Sequence, residues 1–147
     1  MIRNVFMPLV FLVAGLWFSS CELDDDTPNF YFTSLDVVAV DMPESFELNE
    51  TYDIDVTYVR PDGCTYFEGF DVVKTGQTDR EVIVVGSRLT NEGLACTQAT
   101  EEVVATMQFH VIFTGEYHFK FYAGQDENDE AVYLEYDVPV VGESTTN

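Results

Sequence analysis

Tyr52-Asp53-Ile54-Asp55-Val56-Thr57-Tyr58-Val59-Arg60-Pro61-Asp62-Gly63 is the stretch on which the fold turns. Apolar Tyr52, Ile54, Val56 and Tyr58 alternate with Asp53, Asp55 and Thr57 before the run stops at a Pro-Asp-Gly turn. A period of two sends successive side chains to opposite faces of a strand. One face here is dry and the other wet, which is the pattern an antiparallel sheet permits. The same alternation returns at Val103, Ala105, Met107, Phe109, Val111 and Phe113. It recurs at Tyr117, Phe119 and Phe121 against His118 and Lys120. A last instance sets Val132, Leu134, Tyr136 and Val138 against Tyr133, Glu135 and Asp137. Less regular strands are expected over residues 30–40, 66–73 (with a bulge at Gly69) and 81–89, and helical periodicity is almost absent. Pro139 is expected near the end of an edge strand, where its missing N–H does least harm.

Seven main strands within residues 30–141 predict an all-β chain: a single antiparallel β-sandwich, most simply immunoglobulin-like. Thr114-Gly115-Glu116-Tyr117-His118-Phe119 resembles the tyrosine corner of such folds, in which a Tyr opening a strand returns its hydroxyl to nearby backbone. The alternative is a tight hairpin at Thr114-Gly115. That hairpin would bring His110 and His118 together on one polar face, whereas a corner sends their strands into different sheets.

The N-terminus carries a different signal. Arg3 precedes an apolar stretch from Val5 to Phe18, interrupted by Pro8 and Gly15 and followed by small Ser19 and Ser20. A spanning helix needs about 20 apolar residues, so this stretch fits a cleaved signal peptide better. Cys21 follows directly, and Glu22-Leu23-Asp24-Asp25-Asp26 comes next. This arrangement resembles the start of Bacteroidetes-type lipoproteins, except that Phe18 stands where Leu is common. The resemblance implies cleavage before Cys21, attachment of lipid (palmitate-type) chains to it, and an outer-membrane anchor. It also implies that Asp24, Asp25 and Asp26 signal display on the cell surface. The expected organisation is a signal peptide at 1–20, a lipidated acidic tether at 21–29, the sandwich at 30–141 and a tail at 142–147.

Composition narrows the partners. Of six basic residues, Arg3 leaves with the leader, while all 27 acidic residues stay, so the exported part is more negative than the −21 of the whole chain. Such a surface repels nucleic acid and anionic lipid headgroups, so no nucleic-acid partner is expected. Cys64 and Cys96 form an even pair in a disulfide-permissive compartment, with no C-x-x-C and no His close in sequence. A bridge between them would stabilise the fold by about 3–4 kcal/mol on loop-entropy grounds.

Catalytic patterns are missing from the sequence: no Ser-centred elbow, no HExxH, no Gly-rich phosphate loop and no Cys/His nucleophile pair. The expectation is a non-enzyme without cofactor and without a metal site. Two weaker readings stay open: a paired His110 and His118, and calcium held by the acidic turn Gln125-Asp126-Glu127-Asn128-Asp129-Glu130, which lacks EF-hand spacing. The sequon Asn49-Glu50-Thr51 is read as chance. Pro61-Asp62-Gly63-Cys64-Thr65-Tyr66-Phe67, Gly115 to Phe121 and the final acidic hairpin also resemble small immunoglobulin-like lipoproteins of the same bacterial group. That likeness implies fold and location but brings no activity. The expected role is a surface binding, adhesion or accessory module for a protein or glycan, anchored in the membrane through Cys21, with loops 91–100 and 125–130 as contact surfaces. The rivals are a periplasm-facing structural or assembly factor of the outer membrane and a protease-inhibitor-like module.

Overall fold

The computed structural model describes residues 29–90, 93 and 95–142. The leader, Cys21, the Asp24-Asp25-Asp26 run, all of the tether but Asn29, and all of the tail but Gly142 lie outside the described residues. Within them the chain forms nine strands: β1 (Phe30–Leu35), β2 (Val37–Asp41), β3 (Phe46–Glu47), β4 (Thr51–Arg60), β5 (Thr65–Lys74), β6 (Asp79–Leu89), β7 (Glu101–His110), β8 (Glu116–Gln125) and β9 (Ala131–Val141). They make two sheets, one of β2-β4-β7 and a larger one running β1-β6-β8-β9-β3 with β5 on β6.

The sandwich is built from the alternation. Ile54, Val56 and Tyr58 of β4 and Met107 and Phe109 of β7 turn inward from the small sheet, and all are buried. Val82 and Val84 of β6, and Tyr117, Phe119 and Phe121 of β8, meet them from the larger one. Phe109 lies edge-on to Tyr117 and Phe119, with ring centroids 5.3 and 5.0 Å apart. Phe46, fully buried, touches Tyr52, Phe109, Tyr117 and Phe119. Aromatic pairs of this geometry add about 0.5–1.5 kcal/mol each beyond the area they bury. Two residues of β3 thus suffice, because Phe46 plugs the gap between the sheets.

Four expectations change, the first being that Pro139 lies near the end of β9, which is flanked by β8 and β3 and so is not an edge strand. Nine strands replace seven, chiefly because the segment 30–40 is two strands: the chain crosses from the larger sheet to the small one at Asp36, whose carbonyl accepts from the Val59 N–H at 2.9 Å. Pairing is not wholly antiparallel, since β6 runs parallel to β8 and β3 parallel to β9. The run expected to continue to Phe113 ends at His110, where the chain leaves the small sheet for the larger one. The Gly69 bulge is present as a register shift between Phe67 and Gly69.

The crossing between β7 and β8 is a corner rather than a hairpin. The fully buried Tyr117 accepts hydrogen bonds at its hydroxyl from the backbone N–H groups of Ile112 (3.3 Å) and Phe113 (3.0 Å). Gly115 takes φ +114° just before the strand, a conformation that penalises any Cβ. Arg80 closes this end from beneath. Its guanidinium is buried, donates to the carbonyls of Gly76, Gln77 and Asp79, and lies over the rings of Phe109 and Tyr117.

Candidate functional site

The two outward faces of the sandwich differ in what they leave exposed. On the small sheet, cross-strand register pairs Asp53 with Gln108, Asp55 with Thr106 and Thr51 with His110. Each pair is hydrogen-bonded, at 3.0, 2.6 and 3.0 Å respectively. These three pairs spend their polar groups on one another, while Val104, opposite Thr57, is exposed beside them.

The larger sheet carries rings outward. Ser87 of β6 stands opposite Phe32 of β1 on one side and Tyr66 of β5 on the other, so the three share a face. Phe32 is 66 % exposed and Tyr66 48 %. Phe30 lies two residues from Phe32 on the same face, with the rings 5.4 Å apart and edge-on. Further along, Tyr122 and Tyr133 form another edge-on pair, and Tyr133 donates to Glu81 at 3.0 Å. That bond, with burial behind it, holds the Tyr133 hydroxyl above its ordinary pKa.

The aromatic end is fixed from within by the disulfide. Cys64 and Cys96 are bonded, with their Cα atoms 5.3 Å apart. The Pro-Asp-Gly-Cys turn leads into β5, and Asp62 organises it. Its buried carboxylate accepts from the Thr65 hydroxyl at 2.8 Å and the Cys64 N–H at 3.0 Å, and pairs with Arg88 of β6 at 3.0 Å. The Thr65 hydrogen bond, above all, draws the Asp62 pKa below the usual carboxylate range, helped by the Cys64 N–H and the Arg88 charge.

The opposite end of the same outward face gathers titratable groups. His118 of β8 stands opposite Asp137 of β9, and Nδ1 lies 2.6 Å from the Asp137 carboxylate. Glu116 is two residues away on the same side of β8. One donor atom from each of Glu116, His118 and Asp137 falls within 4.8 Å of the others. Across the parallel seam, Asp79 of β6 is the register partner of His118. The Asp137 hydrogen bond, then the charges of Asp137, Asp79 and Glu116, raise the imidazole pKa above its ordinary value.

The sequence-level candidates fall out as follows. His110 and His118 lie on opposite outward faces, so the paired-histidine reading is overturned by the corner that separates their strands. In the acidic turn, the Asp126 carboxylate accepts from the N–H groups of Asn128 (2.8 Å) and Glu130 (3.0 Å). Those backbone donors, Glu130 foremost, lower its pKa and use the carboxylate to close the hairpin. Asp137 is the residue that sequence reasoning missed as a partner of His118. Folding the last hairpin about the middle of residues 125–130 would have placed the two opposite each other. Of loop 91–100, residues 91, 92 and 94 lie outside the described residues; Cys96 is half-buried in its bridge.

No protein-family model matches the chain, and neither a curated protein nor a solved structure resembles it significantly.

Proposed function

We propose that the chain is a lipid-anchored module of a bacterial cell envelope, held at the outer membrane through Cys21 and displayed on the cell surface. It binds a protein or glycan through the outward face of its larger sheet. The observation that carries the reading is the row Phe30, Phe32, Tyr66, whose rings stand in solvent although the core beside them is fully packed. Exposed rings grouped on one face mark interaction sites more often than scattered ones do. The disulfide supports an oxidising, exported location. The Tyr117 corner supports the immunoglobulin-like type, from which the parallel seam between β6 and β8 departs.

The test has two arms in the native host. Palmitate labelling of the wild type and of Cys21→Ser asks whether the anchor exists; label on the wild type alone is the expected result. Protease shaving of intact cells compares the wild type with the Asp24/Asp25/Asp26→Ala triple variant. Digestion of the wild type alone is expected. Protection of both until lysis would favour a periplasm-facing role and overturn surface display.

A further inference from the structure

We infer that Glu116, His118 and Asp137, with Asp79 alongside, form a binding site for a first-row divalent transition ion, of which zinc is the best match. Carboxylates of Glu116 and Asp137 lie within ligand distance of one imidazole, and Asp79 is the register partner of His118 on the next strand. The described Lys and Arg residues are engaged elsewhere: Arg60 with Glu101, Arg88 with Asp62, Lys120 with Glu135, Lys74 over the Phe113 ring and Arg80 among backbone carbonyls. The cluster therefore has no cation from the protein except His118 itself.

Geometry and donor type then narrow the ligand. Zinc holds N and O donors at about 2.0–2.2 Å, which sets them roughly 3.3–3.6 Å apart in a tetrahedron. Donors already within 4.8 Å of one another reach that spacing by small side-chain rotations on a fixed backbone. The backbone is fixed because Tyr117, between Glu116 and His118, and Val138, next to Asp137, are buried register partners. An imidazole among carboxylates favours zinc and its neighbours over calcium or magnesium, which prefer oxygen alone. The His118 side chain is 45 % exposed and that of Asp137 66 %, so an ion can enter from solvent and keep water in its remaining positions.

The experiment is calorimetric titration of the full chain in detergent with zinc chloride, using the wild type, His118→Ala, Asp137→Asn and His110→Ala. One zinc per chain is expected for the wild type. Affinity should fall about tenfold or more in the His118 and Asp137 variants, as loss of a ligand or its partner does, and hold in the His110 variant. Paramagnetic broadening by cobalt(II) in the unmutated protein gives an independent readout, with the His118 ring resonances affected and those of His110 spared. Absence of stoichiometric zinc binding by the wild type, equal binding by His118→Ala, or broadening centred on His110 would each overturn the assignment.

Discussion

The two outward faces of one sandwich began from the same rule and ended differently. On β4 and β7 three outward pairs, Thr51–His110, Asp53–Gln108 and Asp55–Thr106, are hydrogen-bonded directly across the strands, and Val104 opposite Thr57 is the one large apolar side chain exposed in that ladder. On β1, β5 and β6 the corresponding positions include Phe30, Phe32 and Tyr66, and their rings meet water. A face that satisfies its own polar groups is a finished surface. Exposed rings beside a buried core are not needed for that core, and this difference is what the proposed binding role of the larger sheet rests on.

The largest effect that can break this contrast comes from the disulfide, because Cys64 immediately precedes β5, the strand that carries Tyr66. Replacing Cys64 and Cys96 by Ser together should cost about 3–4 kcal/mol. Hydrogen exchange should show the loss first in β5 amides and least in the β4–β7 ladder. Equal loss in both sheets would mean that the two faces are not separately supported.

Acid sharpens the same point. The folded-state pKa of Asp62 is depressed, so its contribution is complete above the unfolded value, about 3.9, and disappears as pH falls through the folded value. Thermal melts of the wild type and Asp62→Asn should differ most at neutral pH and converge as pH falls below the ordinary carboxylate range. A difference that stays constant with pH would show that the carboxylate charge plays no part in holding the turn.

The smallest effects lie on the faces themselves. Thr106→Val breaks the bond to Asp55 and should cost about 0.2–1 kcal/mol, in the range of cross-strand pairs. Phe32→Ser with Tyr66→Ser should change stability by no more than about 0.5 kcal/mol per site, as surface changes do. A larger loss in chemical denaturation would make those rings structural and erase the contrast.

How much of this was readable from the chain follows from the range of each interaction. Strand positions came from alternation, which is local, and Tyr117 announced its corner through Gly115 two residues before it. The split at Asp36 was hidden because residues on both sides keep strand character while changing sheets. The parallel seam between β6 and β8 depends on how distant strands stack, which no period encodes. The His118–Asp137 pair lay between these cases. It follows from the centre of the final hairpin, but only once that turn is known to close through Asp126.

The most direct test of the central claim is carbene footprinting of the protein on intact cells against the purified chain in detergent. Labelling of Phe30, Phe32 and Tyr66 should fall on cells, while Val104, exposed on the opposite face, should label equally in both. Unchanged labelling of the three rings, or protection of Val104 instead, would contradict a binding role for the larger sheet.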